Sequence, residues 1–526
     1  MDIISHLPEI LVALAAAAFI HLWRLGNKRR QQNNPNRRVP EIPGALPLVG
    51  HLHLLGGNQT LSRKLASFAH KYGDVFTIRL GANSAVVVSD YESMKECFTT
   101  NDRILSFRPE SSQAKVLGYN YAAFGFASYG SYWRDMKKML MTELLSVQRI
   151  KALRHVQISE VDFLINDLYQ QSNADKSRPI AISEALQGYV LNIITRMVAG
   201  KRYFDKTGGE DHASAGGRPI GQVMREFMLV TGTLVPSDLI PILGWFGFQG
   251  VVKTMKRVSK ELDVIMESWI DEHKRKQSTN GAKSAAINPD LIDVMLSEIK
   301  EEVAYGHKRE DIIKATAMSL IVAGSDTTSI TLTWILSNLL NHKRVMKLAQ
   351  EEIETKVGTD RWVDDSDIEK LTYLGAVIKE TLRMYPPGPL SVPREASEDI
   401  TIKGYHVPKG TRFLANFWKL HRDPKVWSDP DEYKPERFLA ANANMEIFGQ
   451  QFEYLPFGSG RRGCPGINFG MQVTQLTLAR LLQGFDWGTP NDKPVDMTEG
   501  LGIALPKANP LEVVLTPRFP PQFYKS

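Results

Sequence analysis

Residues 457–466 read Phe-Gly-Ser-Gly-Arg-Arg-Gly-Cys-Pro-Gly, so one thiol, Cys464, stands among four glycines and two arginines. The chain has only one other cysteine, Cys97, which excludes a disulfide framework and a zinc site built mainly from thiolates. Leu478, Leu481, Leu482 and Phe485 repeat with helical period, and Pro465 suits a first turn, so the spacing predicts Cys464 at a helix N-terminus. Exposed N–H groups and the positive dipole end there favour a thiolate, the form that binds metal or attacks carbon. Gly460, Gly463 and Gly466 would let a flat ligand lie against the backbone, while Arg461 and Arg462 would offer cations to carboxylates on its edge.

Three chemistries compete for such a segment. A catalytic thiol would want a histidine base, and none lies within the loop. A phosphate loop would use the same N–H groups, but the Gly-x-x-x-x-Gly-Lys-Ser/Thr pattern is absent and a thiol would be superfluous. A haem-thiolate ligand employs every part: sulfur for iron, glycines for the porphyrin face, and Arg462 for a propionate.

The pattern FxxGxRxCxG is filled by Phe457, Gly460, Arg462, Cys464 and Gly466, and on these residues the chain resembles the cytochrome P-450 monooxygenases. The resemblance implies a mainly α fold with small β-sheets and an N-terminal transmembrane anchor helix. It implies heme b, with Cys464 as the metal ligand and Phe457 and Arg462 against the cofactor. O2 and a small apolar substrate would be the reactants, with electrons from NADPH through a separate cytochrome reductase. Finer strings, among them ECFTTNDR, AGKRYF, KLHRDP and VDMTEG, resemble the plant family numbered eighty-two. That implies oxidation of a flavonoid, coumarin, alkaloid or terpenoid alcohol. Two alternatives stand beside it: a reductase-independent hydroperoxide lyase or isomerase of the same fold, and a non-catalytic haem sensor.

Further matches distribute roles along the chain. The stretch AMSLIVAGSDTTSITLTWILSNLL, 317–340, holds one charge, Asp326. Hydropathy alone would allow a membrane span, but the density of Ser and Thr favours a helix through a large core. It resembles the family's central helix, which implies that Gly324 leaves room for dioxygen and that Asp326 and Thr327 relay protons. Leu371, Leu374, Ile378, Leu382 and Tyr385 step at helical spacing and bring Glu380 and Arg383 together at i and i+3, ordinarily a solvated ion pair. The same spacing is the family's ExxR, and with Arg437 of PERF it implies a structural network that organises the cysteine loop. Trp133 and Lys137 match WxxxR, which implies propionate contacts with lysine where arginine is commoner. Arg394, after Pro393, matches another propionate position. Substrate contacts are implied for Tyr119, Tyr121, Phe124 and Phe126, whose alternative is core packing, and by family position for Leu390, Val392, Ile503 and Leu505.

A core able to position these residues needs length and apolar content, and 526 residues with 43% hydrophobic and 23% charged side chains supply both. Residues 1–25 read as a membrane anchor of marginal length. Residues 24–38 hold six basic and no acidic side chains, so the positive-inside rule keeps the rest of the chain in the cytosol and predicts a single-pass protein of the endoplasmic reticulum membrane. With that run and Asp2 and Glu9 set aside, the remainder carries about +2 of the total +6, too little for a nucleic-acid footprint. Residues 26–47 form a basic, proline-rich linker, with Pro40, Pro43 and Pro47 keeping it extended, and 48–526 the catalytic domain. Residues 74–90 read as a hairpin turning at Gly81-Ala82-Asn83, and 204–219 and 276–290 as polar loops. The apolar run 227–248 is interrupted by Pro236 and Pro241, which argues against a second span.

Overall fold

The computed structural model describes residues 37–175, 177–203, 218–245, 250–280 and 289–524. The predicted anchor, 1–25, and the basic start of the linker, 26–36, lie outside these residues, as do 204–217 and 281–288 of the two polar loops. The longer helices are α1 (Leu61–Tyr72), α2 (Tyr91–Phe98), α3 (Ser131–Met139), α4 (Arg154–Ala174), α5 (Ile182–Ala199) and α6 (Ile220–Gly232). They continue as α7 (Gly250–Asn280), α8 (Leu291–Glu298), α9 (Arg309–Asn341), α10 (Lys343–Val357), α11 (Thr372–Met384) and α12 (Ile467–Gly484). Residues 276–280 therefore extend α7 instead of opening a loop. Lys276 pairs with Glu272 one turn back at 2.8 Å, and the Ser278 and Thr279 hydroxyls donate to the Arg275 carbonyl.

At the centre runs α9, packed against α5, α11 and α12. The hydroxyls of Ser319, Ser325, Thr327, Thr331, Thr333 and Ser337 each donate to the carbonyl four residues earlier, at 2.6–2.8 Å. These six hydroxyls thus enter the core with their donors satisfied, whereas that of buried Thr316 has no hydrogen-bond partner among the described residues. Among the described residues no helix is long and apolar enough to cross a membrane. After α6, single turns at Pro236–Leu239 and Ile242–Trp245 replace a long helix, because each proline lacks the N–H that would continue it.

The strands are short: β1 (Val75–Leu80), β2 (Asn83–Val88), β3 (Ile180–Ala181), β4 (Arg394–Glu395), β5 (Arg412–Ala415), β6 (Phe485–Gly488) and β7 (Glu512–Pro517). A four-stranded sheet has the order β1-β2-β5-β4 and a three-stranded one β6-β7-β3; two further two-strand ribbons pair Val303–Ala304 with His307–Lys308 and Ile400–Ile402 with Tyr405–Val407. Asn83 was expected in the hairpin turn but opens β2, pairing with Leu80 across a two-residue loop. The proline segment is extended, yet it is docked on the body: Thr77 N–H donates to the Pro40 carbonyl at 2.8 Å, Ile42 N–H to the Thr77 carbonyl at 3.1 Å, and Ile42 is buried.

Beneath α9 the pair Glu380–Arg383 is fully buried instead of solvated. Arg383 Nε and Nη2 donate to the two Glu380 oxygens at 2.8 and 2.9 Å, and Arg437 Nε adds a third bond at 3.1 Å. Arg383 Nη1 reaches the His421 and Pro430 carbonyls, each at 2.8 Å. The His421 ring is held far below its usual titration range by burial and by the positive charges of Arg383 and Arg422, so it is neutral and its Nε2 accepts the Leu455 N–H at 2.9 Å. This chain of bonds ends at the segment that leads into Cys464. Removing one partner of such a buried network leaves uncompensated charge. Glu380→Gln is expected to destabilise the fold by about 3–5 kcal/mol. Lys347→Ala, which breaks an exposed pair with Glu351, should leave the thermal unfolding midpoint unchanged.

Candidate active site

Cys464 follows a single tight turn at Gly460–Arg462 and precedes α12, whose first residue is Ile467. Its N–H donates to the Phe457 carbonyl at 3.0 Å, and Ser459 Oγ ties the loop to the Gly449 carbonyl at 2.6 Å. Gly460 has φ +68°, and a Cβ there would stand 2.3 Å from Asp102 Oδ1. This glycine therefore makes room for a carboxylate and not for a flat ligand. Asp102 accepts the Arg461 N–H at 3.1 and 3.2 Å and the Arg461 guanidinium at 2.7 Å. Of the two neighbouring arginines, only Arg462 borders the internal cavity. The segment Gly458-Ser-Gly460-Arg-Arg-Gly463 also spells a GxGxxG pattern, but a loop and not a strand precedes it, so it builds no dinucleotide fold.

That cavity has a volume of about 380 Å³ and is lined by Cys464, Phe457, Gly466 and Phe469, by Leu320, Ala323, Gly324 and Thr327 of α9, and by Leu390 and Val392. The cavity walls desolvate Cys464 and raise its thiol above the ordinary range, although the residue is exposed at the cavity; the Gly466 N–H at the helix start and Lys137 act in the opposite direction.

Three buried N–H donors beside the cavity lack a hydrogen-bond partner among the described residues: Trp133 Nε1, Arg462 Nη1, and Arg394 Nη1, which stands 3.8 Å from Asp102 Oδ1 in a long ion pair. Arg462 otherwise donates to the Ser106 carbonyl at 2.8 Å and the Ala127 carbonyl at 2.6 Å, and lies over the Trp133 ring. Arg394 donates to the Ser459 carbonyl at 3.4 Å. Lys137 Nζ reaches the Gly463 carbonyl at 3.4 Å and lies 6.0 Å from the centroid of the Phe124 ring. Arg108, which sequence reasoning missed, also lines the cavity, with its guanidinium on the Val392 and Pro393 carbonyls at 2.8 and 2.7 Å. The available signal was a lone cation in the apolar run ILSFRP. Burial, with repulsion from Arg394, lowers Arg462 to about 9; burial takes Arg394 to about 10 and Arg108 well below its usual value. Set against these cations is Asp102, already engaged by Arg461. The wall fits a ligand that brings its own carboxylates, as heme b does with two propionates, and it offers one thiol for iron.

The structure separates other predicted residues. Consecutive residues on a helix diverge by about 100°, so Thr327 faces the cavity while Asp326 borders a groove of about 870 Å³ between α4, α5 and α6. Burial pushes the Asp326 carboxyl up to about 6. Gly324 lines the cavity, and a Cβ there would also meet Ile194 Cδ1 at 2.8 Å, so α5 approaches closely at this point. Leu390 and Val392 line the cavity; Tyr119, Tyr121, Phe124 and Phe126 do not. Positive φ at Tyr119, Asn120 and Tyr121 turns that segment back on itself. Tyr119 donates to Asp263 at 3.1 Å, Tyr119 and Phe126 pack over Ala122, Ala123 and Ala315, and Phe124 stacks on Trp133. Among these rings, Tyr119, Phe124 and Phe126 are engaged in packing of this kind. Leu505 is buried and its carbonyl accepts the Trp334 Nε1–H at 2.7 Å, whereas Ile503 is 45% exposed beside Gly232; neither lines the cavity.

Comparisons with known proteins agree with this geometry. The family model described as cytochrome P-450 matches residues 40–512. A cytochrome P-450 of family eighty-two from Trigonella foenum-graecum is 48% identical over 98% of both chains. Xanthotoxin 5-hydroxylase of Arabidopsis thaliana is 45% identical over 99% of both, and demethylepipodophyllotoxin synthase of Sinopodophyllum hexandrum 45% identical over 100% of both. A zebra fish cytochrome P-450 solved with progesterone superposes with a TM-score of 0.71 at 25% identity, covering 88% of this chain and 100% of that one. The chain belongs to the cytochrome P-450 family, resembles within it the plant family numbered eighty-two, and is accordingly a haem-thiolate monooxygenase.

Proposed function

We propose that Cys464 ligates the haem iron, that Arg462, Arg394, Arg108, Trp133 and Lys137 receive the propionate edge, and that the enzyme oxidises a small apolar plant metabolite. The reading is carried by Trp133 Nε1, Arg394 Nη1 and Arg462 Nη1, buried donors without a hydrogen-bond partner among the described residues, beside a cavity that also holds a thiol. Relatives named for xanthotoxin and nicotine support a substrate among the coumarins, flavonoids, alkaloids or terpenoid alcohols. Electrons come from NADPH through a separate reductase, and residues 1–25 anchor the chain in the endoplasmic reticulum membrane with the catalytic domain in the cytosol.

When bound, the haem supplies the redox chemistry that splits dioxygen and places one atom on the substrate. Leu320, Ala323, Leu390 and Val392 give the substrate an apolar wall and limit its water. Thr327 Oγ1 commits its own proton to the Ala323 carbonyl at 2.6 Å, which leaves its lone pairs to hold a water or another donor. Asp326, with a carboxyl that titrates at about 6, exchanges protons with solvent in the outer groove. One turn of α9 thus carries a proton source on one face and an acceptor on the other.

Cys464→Ser is expected to abolish the thiolate-dependent absorption band of the ferrous carbon monoxide complex; an unchanged band rejects the ligand assignment. With Thr327→Ala, NADPH consumption should continue while product per NADPH falls at least ~10-fold, as read by coupled oxygen and product assays. Because Asp326 is raised, the folded chain holds its proton more tightly than the unfolded chain, so this residue lowers stability as pH rises from about 4 to about 6, by roughly 3 kcal/mol above that window. Asp326→Asn should therefore gain more thermal stability over the parent at pH 7.5 than at pH 5.

A further inference from the structure

Adjacent guanidiniums repel, and nothing in the turn Gly460–Arg462 itself dictates which of Arg461 and Arg462 faces the cavity. The choice is made by the segment 102–106, which follows α2 and holds one arginine at each end. At its start the Asp102 carboxylate accepts the Arg461 N–H at 3.1 and 3.2 Å and the Arg461 guanidinium at 2.7 Å. At its end the Ser106 carbonyl accepts Arg462 Nε at 2.8 Å. The segment is closed on itself, because Ser106 Oγ donates to the Asp102 carbonyl at 2.5 Å. It is also fixed from outside: Asn101 Nδ2 donates to the Thr401 carbonyl at 2.8 Å, and the Ser397 N–H to the Ile104 carbonyl at 3.2 Å.

Asp102 is the charged part of this clamp. It is buried, and besides Arg461 it has Arg394 at 3.8 Å. The fit depends on Gly460, where any Cβ would overlap the carboxylate, so Asp102 lies directly against the turn that leads to Cys464. The Arg461 side chain is by contrast 44% exposed, and its guanidinium also stands 5.9 Å from the centroid of the Tyr129 ring. A carboxylate buried at this place acts on the site through weakly screened charge as well as through hydrogen bonds.

We infer that Asp102 is a positioning residue for the oxidation: it takes Arg461 out of the propionate wall, fixes the turn so that Arg462 and Cys464 meet the haem together, and opposes the positive charge of the cavity arginines. The inference rests on haem being held at Cys464 as proposed. Asp102 and Arg461 form a neutral unit, so breaking either half changes the net charge beside the haem, and the two changes have opposite sign.

The test uses purified haem-loaded protein as the parent and as Asp102→Asn, Arg461→Gln, their double variant and Asp102→Ala. The ferric/ferrous midpoint potential is read by spectroelectrochemical titration. Asp102→Asn leaves a guanidinium without its counter-ion, which favours the added electron, and should move the midpoint in the positive direction. Arg461→Gln leaves a carboxylate instead and should move it in the negative direction, while the double variant returns close to the parent. Haem transfer to excess apomyoglobin should be at least ~10-fold faster from Asp102→Ala, and partly restored in Asp102→Asn, which keeps an acceptor oxygen for the Arg461 N–H. Should Asp102→Ala fail to load haem, the two single variants and their double decide. A purely structural role would speed haem release in every variant and give midpoint shifts of one sign or none, and either midpoint result overturns the inference. The carbon monoxide band, recorded on the same samples, separates the two failures. Its absence from the parent rejects the thiolate assignment and this inference with it, whereas a normal parent band with shifts of one sign or none rejects this inference alone.

Discussion

One buried carboxylate organises the half of the molecule that presents the cysteine. Glu380 accepts bonds from both Arg383 and Arg437, and also from the Lys434 N–H at 2.9 Å, so both oxygens are engaged. Two guanidiniums can then remain in the core and spend their other N–H groups on the carbonyls of His421, Ser428 and Pro430. Those loops lack regular structure and would otherwise have no fixed pairing for their backbone groups. Through neutral His421 the order passes to Leu455, and from there to the turn that carries Cys464. Position at the thiol is thus inherited from a network that touches no ligand.

The cavity follows the opposite electrostatic rule. Around Glu380 the buried charges close among themselves; at the cavity Arg394 reaches Asp102 at a long 3.8 Å, and one N–H of Arg394 and one of Arg462 have no hydrogen-bond partner among the described residues. An open set of buried cations costs free energy in the absence of a ligand and becomes favourable only when carboxylates arrive. Binding and folding are therefore coupled at this wall.

The central helix keeps two environments apart. With the hydroxyls of Thr327, Thr331, Thr333 and Ser337 returned to its own backbone, this part of α9 needs few polar partners in the core, and its faces are free to differ. Thr327 belongs to the cavity and Asp326 to the outer groove, although they are adjacent in the chain. Close contact with α5 at Gly324 and Ile194 sets the depth at which this helix lies.

By itself the sequence determined the class of chemistry and much of the fold: the lone thiol among glycines and cations, the polar-dotted core helix, the hairpin and the proline breaks after α6 are all local patterns whose physical meaning does not depend on distant residues. Glu380 and Arg383 were recognisable as a pair, but an i, i+3 spacing is equally that of a solvated pair, and only packing against the loops of Arg437 and His421 removed the water. Tertiary structure alone decided which cations are free. Arg461 and Arg462 are adjacent in the chain, yet Asp102, more than 350 positions earlier, claims one and leaves the other to the cavity. It also drew Arg108 and Ser391 into the lining and turned the aromatic cluster around Tyr119 away from it. The reason is that a residue's type states what it can bond, whereas burial and the direction of each side chain depend on partners brought together by the rest of the chain.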